Sequence, residues 1–114
     1  MPYIDLKTTA ALTEPQKLAV KTRLGKAVSL LKKPESYLMI GFAKEGYDLF
    51  FAGNRLENGA YVSVSLYGKL NAADTNRMTA EICKILKEEL AIPSDAVYVT
   101  YHGVDNWGFD GSNF

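Results

Sequence analysis

The chain repeats itself, and that repetition is what most limits its fold. Displaced by 58 residues, Tyr3-Ile4-Asp5-Leu6-Lys7 lies over Tyr61-Val62-Ser63-Val64-Ser65, and both stretches alternate with the two-residue period of a half-buried strand. The same displacement carries Val20, Leu24, Ala27 and Val28 onto Met78, Ile82, Ile85 and Leu86, an apolar stripe on one helical face in each half. A displacement of 59 carries Pro34 onto Pro93, and each proline is followed by an apolar run, residues 37–42 or 96–101. Strand, helix and strand, twice over, predict two pseudo-repeated βαβ units joined by a hairpin strand. Right-handed crossovers then put both helices on one face of a four-stranded mixed sheet. The expected class is α/β of the α+β kind, with residues 1–114 as a single domain.

Local signals set the expected boundaries. Thr13-Glu14-Pro15-Gln16 combines a capping hydroxyl, an early proline and a glutamine three residues past the cap. The first helix is expected to end at Lys32-Lys33, because Pro34 disfavours helical geometry in the residue before it. Lys44-Glu45-Gly46 reads as a turn into a strand over 47–52, and 53–59, rich in Asn and Gly, as loop. Residues 37–42 and 96–101 are apolar or aromatic at both parities, so the sheet face without helices is expected to need covering. Other copies of the chain are the nearest supply, which predicts a homo-oligomer.

Composition narrows the function classes. The 13 basic and 13 acidic residues cancel without long blocks of either sign, so no nucleic-acid or acidic-membrane partner is expected. Cys83, the only cysteine, has no partner for a disulfide and no His or Cys at metal-ligand spacing, so neither metal nor cofactor is expected. No basic start with an apolar run and no stretch of about 20 apolar residues is present. The expected location is cytoplasmic.

Met1-Pro2 is the position with unusual chemistry. A start methionine before a small residue is normally removed, and Pro2 would then be a secondary amine fixed in direction by its ring. An α-amino group titrates near pH ~8, and apolar burial lowers that value, so such an amine can serve as a neutral base. Read without the rest of the chain, Met-Pro marks only the start of an edge strand.

Met1-Pro2, Lys33-Pro34 followed by Tyr37, Leu66-Tyr67-Gly68-Lys69, Val97-Tyr98-Val99 and the ending Gly111-Ser112-Asn113-Phe114 together resemble the macrophage migration inhibitory factor family of the tautomerase superfamily. The resemblance covers essentially the whole chain. It implies two βαβ repeats assembled as a homotrimer around a central channel, with active sites between subunits, and keto-enol tautomerisation of aromatic 2-oxo acids such as phenylpyruvate. Pro2 matches the family's proton-transferring residue and Lys33 its carboxylate-binding lysine. Read from the residues alone, Lys32 and Lys33 complement a helix C-terminus.

Tyr67 stands where the family usually has isoleucine and contacts substrate through its backbone amide. Tyr98 matches a pocket tyrosine contributed by a neighbouring subunit; by itself it reads equally as a core aromatic. Thr100 replaces the usual substrate-binding asparagine, and Tyr37, Phe109 and Phe114 match aromatic positions at the pocket mouth, with Phe109 in place of tryptophan. His102 matches a position near the channel, and otherwise reads as a solvated strand-end residue. The family's Cys-x-x-Cys would fall at 59–62, where there is no cysteine, so no thiol oxidoreductase activity is expected. The family also includes cytokine-like proteins, and the alternative is a signalling ligand with a vestigial pocket, reaching a host receptor by non-classical secretion.

Overall fold

A computed structural model describes residues 1–114. The chain runs β1 (Pro2–Thr8), α1 (Glu14–Ala27), β2 (Met39–Phe42), β3 (Phe50–Phe51), β4 (Asn54–Arg55), β5 (Ala60–Tyr67), α2 (Ala72–Leu90), β6 (Val97–Val104), β7 (Gly108–Phe109) and β8 (Ser112–Asn113). Four strands form one mixed sheet in the order β2-β1-β5-β6, with β1–β5 antiparallel and the outer pairs parallel. Each parallel pair brackets one helix, as the internal repeat predicts.

The period-two pattern decides what each sheet face carries. Pro2, Ile4, Leu6 and Thr8 on β1 and Ala60, Val62, Val64 and Leu66 on β5 are buried, while the residues between them are half-buried. The buried set meets Val20, Leu24 and Ala27 of α1 and Met78, Ile82, Ile85 and Leu86 of α2 in one core. Fully burying a side chain of this size is worth roughly 1.5–3 kcal/mol, so these helix faces hold both helices on the same side of the sheet. Thr13 caps α1 through a reciprocal box with Gln16. Arg23 bridges the helices to Glu88 and Glu89 at 2.7 and 3.0 Å, a surface contact of modest worth.

Several boundaries differ from the sequence reading. The first helix does not stay regular to Lys33: it tightens into a 3-10 turn at Val28–Leu31, and Lys32 then turns left-handed at φ 59°. Pro34 forces the preceding residue out of helical geometry, and the tightened turn supplies the exit. Residues 35–37 form another 3-10 turn, so β2 is four residues long. The expected strand over 47–52 shrinks to β3, paired only with β4 across a turn at Ala52 and Gly53, both of positive φ. A second hairpin, β7–β8, turns at Asp110 and Gly111 in the same way, and the sequence reading assigned nothing there.

The open face also departs from expectation. Register aligns Met39, Tyr3, Ser65 and His102 in one row across the sheet, and Gly41, Asp5, Ser63 and Thr100 in the next. Ile40, Phe42, Val97, Val99 and Tyr101 instead pack toward the helices, where Tyr101 hydrogen-bonds Thr79 at 2.8 Å. The middle of the open face is therefore polar, with the Asp5–Lys7 pair at 3.2 Å, and its exposed apolar side chains lie on the outer strands, Met39 and Tyr98. No helix is long and apolar enough to cross a membrane.

Both long helices end on non-glycine residues in left-handed geometry, Lys32 at φ 59° after the 3-10 extension and Ala91 at φ 58°. Ala91 is exposed and loses no packing on truncation. Ala91→Gly is expected to stabilise the fold by about 1 kcal/mol, the usual cost of a left-handed L-residue. Urea unfolding measures this, and a variant that is destabilised would show that Ala91 is unstrained.

Candidate active site

The start of β1 opens onto a cleft of about 610 Å³ lined by Pro2, Tyr37, Met39, Trp107 and Phe109 among others. Three distant parts of the sequence build it. The antiparallel register sets Pro2 opposite Leu66, which brings the Met1 carbonyl 3.0 Å from the Tyr67 N–H. The left-handed turn at Lys32 and the extended Pro34 deliver Lys33 from the end of the first helical segment, and its Nζ donates to the Tyr67 carbonyl at 2.8 Å. The C-terminal hairpin contributes the third side.

That third side is aromatic. Phe109 and Phe114 stack with centroids 6.2 Å apart and planes 9° from parallel. Tyr37 meets both edge-on, at 5.7 and 6.4 Å, and Tyr67 lies 6.0 Å from Phe114. Edge-to-face and offset pairs at these separations are each favourable by about 0.5–1.5 kcal/mol, so the rings hold one another in place. Yet Tyr37, Phe109 and Phe114 remain roughly half exposed, at 47, 55 and 50 %. An apolar ligand ring would bury surface that the chain alone leaves wet.

The α-amino group beside this cleft is electrostatically unusual. Its pKa is lowered from the ordinary 8.0, first by burial and then by the nearby Lys33 ammonium, and both causes favour the neutral amine. In the chain carrying Met1 that amine belongs to Met1, while Pro2 is a buried internal amide.

Of the residues singled out from sequence, Pro2, Tyr37 and Phe109 line the cleft, and Lys33, Tyr67 and Phe114 stand beside it through their contacts with Met1 and the rings. Tyr98 and Thr100 do neither. Tyr98 pairs across the sheet with Tyr61 and so with Lys7, five residues along β1 from Pro2, roughly 17 Å at strand rise. There Tyr98 packs on Phe51 at 5.7 Å beside a smaller apolar cleft, and Thr100 hydrogen-bonds Tyr61 at 2.8 Å and His102 at 3.3 Å. Cys83 lies on α2, and burial pushes its thiol up, away from reactive thiolate. No group of three His, Cys, Asp or Glu side chains converges in the chain.

Among the lining residues that sequence reading did not single out are Trp107 and Met39. Trp107, the only tryptophan, stands just before the hairpin, and its carbonyl accepts from the Phe114 N–H at 3.0 Å. The Asp110-Gly111 turn signal was the clue available.

Comparison with known proteins agrees with this architecture. A family model described as macrophage migration inhibitory factor matches residues 1–114. The macrophage migration inhibitory factor of Xenopus laevis is 24 % identical over 116 residues, covering 100 % of this chain and 99 % of that protein. The crystal structure of Leishmania major MIF2 superposes with a TM-score of 0.92 at 26 % identity, covering 100 % of this chain and 97 % of that one. A macrophage migration inhibitory factor homologue from Prochlorococcus marinus gives 0.86 at 28 % identity, covering 98 % of both chains.

Lys33→Gln is expected to raise the pKa of the N-terminal amine, because a like charge that disfavours protonation is gone. Burial, the larger cause, stays, so the value should remain below 8.0. The pH dependence of N-terminal acylation measures it, and an unmoved pKa would show that Lys33 does not act on the amine.

Proposed function

This chain belongs to the macrophage migration inhibitory factor family, and from that membership we propose that it is an isomerase, a keto-enol tautomerase of phenylpyruvate-like aromatic 2-oxo acids. The observation that carries this reading is the meeting of a depressed amine pKa, the nearby Lys33 ammonium and a half-exposed aromatic wall at the edge of one cleft. A 2-oxo acid with an aromatic side chain has complementary parts: a carboxylate for Lys33, a ring for Tyr37, Phe109 and Phe114, and an acidic C3–H between them.

Loss of Met1 makes Pro2 the reacting amine. Burial at this end of β1 and the Lys33 ammonium, which lower the Met1 amine pKa, would act on the Pro2 amine as well. The same loss removes the carbonyl that occupies the Tyr67 N–H, leaving a main-chain donor facing the cleft. In the forward direction Pro2 takes the C3 proton, the electron pair moves into the C2–C3 bond and onto the C2 oxygen, and Lys33 and the Tyr67 N–H offset the charge that builds up. The proton on Pro2 is then delivered to that oxygen, giving the enol and restoring the neutral amine.

In this reading the active unit is a homotrimer with active sites between subunits, 1–114 acting as one domain. Tyr98 and Thr100, remote from Pro2 within one chain, then reach the cleft of a neighbouring copy. Both stand on an outer strand of the sheet and Tyr98 is exposed there, which supports that role. The location we propose is cytoplasmic, with non-classical secretion belonging to the signalling alternative. That alternative makes the opposite demand on Pro2: receptor binding should survive its replacement.

Pro2→Ala is expected to lower kcat/KM for phenylpyruvate by about 10² to 10⁴, the usual range for a positioned general base. A chain that retains Met1, verified by mass spectrometry, should be comparably impaired. Ultraviolet-monitored tautomerisation checks both, and full activity in the Met1-retaining chain would eliminate the amine mechanism.

A further inference from the structure

Tyr67 ends β5 where three separate parts of the cleft meet. Its N–H donates to the Met1 carbonyl at 3.0 Å, its carbonyl accepts from Lys33 Nζ at 2.8 Å, and its phenol donates to the Phe114 backbone oxygen at 3.2 Å. The first two contacts are made by main chain and do not depend on the side chain. The third depends on the hydroxyl.

What the hydroxyl holds is otherwise loosely attached. Hairpin β7–β8 is a sheet of its own with no strand pairing to the other four, and the Phe114 N–H bonds back to Trp107 just before it. The Tyr67–Phe114 bond is the one hydrogen bond between this hairpin segment and the four-stranded sheet. Ring contacts supply the rest, and residues 108–114 are exposed throughout. A segment with little burial and few hydrogen bonds opens at low free energy, so a single added bond shifts its population appreciably.

We propose that Tyr67 is a positioning residue: its hydroxyl pins the C-terminal hairpin so that Phe109 and Phe114 stand as the aromatic wall of the cleft, and this pin sets the preference for aromatic over short aliphatic 2-oxo acids. The second half of the statement rests on the tautomerase reading. An aromatic substrate needs the wall in place, and its apparent affinity falls with the fraction of molecules in which the hairpin is docked. A short aliphatic acid does not span to the rings and is indifferent to them.

Tyr67→Phe keeps the ring, its packing and the main-chain N–H and carbonyl of residue 67 while removing the hydroxyl. Two measurements on the full chain test the pin. Amide exchange over 108–114 should accelerate roughly 2- to 10-fold, the effect of one net hydrogen bond. KM for phenylpyruvate should rise relative to that for 2-oxobutanoate, followed by deuterium exchange at C3, by a similar roughly 2- to 10-fold. Unchanged exchange in the hairpin overturns the pin. Equal losses on both acids overturn the selectivity, since the hydroxyl would then act at the reacting end. If the wild type enolises neither acid, the tautomerase reading fails by itself, and the exchange measurement alone decides the pin.

Discussion

The antiparallel pairing of Pro2–Thr8 with Ala60–Tyr67 is the contact on which the rest depends. It joins the two halves of the repeat along their first strands, so the two helices come to lie side by side over one continuous sheet. It also fixes where the chain start sits. With Pro2 opposite Leu66, the amino end meets Tyr67, and through Tyr67 it meets Lys33 and Phe114. A slip of one residue would turn Ile4, Leu6, Val62 and Val64 out of the core, and the same slip would dismantle the cleft. Stability of the core and geometry of the site are therefore set by one register.

Much of this was legible because it rests on periodicity and caps. The alternation in 3–7 and 61–65 is strong because both strands are central and see a core on one side only. The Thr13–Gln16 box and the apolar stripe of α2 read directly as helix. What failed to read was where geometry is decided by neighbours in space. Residues 37–42 and 96–101 looked apolar on both faces, but the parallel register turns Ile40, Phe42, Val97 and Val99 toward the helices and leaves Gly41, Thr100 and His102 on the open side. The end of the first helix was blurred because a 3-10 turn has no side-chain period of its own.

The site divides the same way. Lys33 and Tyr37 lie far in sequence from Phe109 and Phe114, and their family pattern, not any spacing, singled them out; the fold then gathers them near Pro2. Trp107 and Met39 carried no such pattern and emerged only from the cleft lining. Tyr98 and Thr100 show the opposite limit: their strand and face follow from register, yet a single chain keeps Tyr98 at the far end of the sheet from the amine and Thr100 at mid-sheet on the outer strand β6.

The left-handed turns at Lys32 and Ala91 lie 59 residues apart, so the repeat extends to the way each helix is stopped. The residue after each stop occupies the same backbone address. In one half that address holds Lys33, reaching the cleft, and in the other Ile92, 1 % exposed in the core. Likewise the place of Pro2 is taken in the second half by Ala60, an internal residue with no amine to offer. A near-symmetric backbone thus carries an asymmetric surface: one copy of the motif has a polar group at its hinge while the other gives the same position to packing, so the chain has one such cleft where its pseudo-symmetry could have accommodated two.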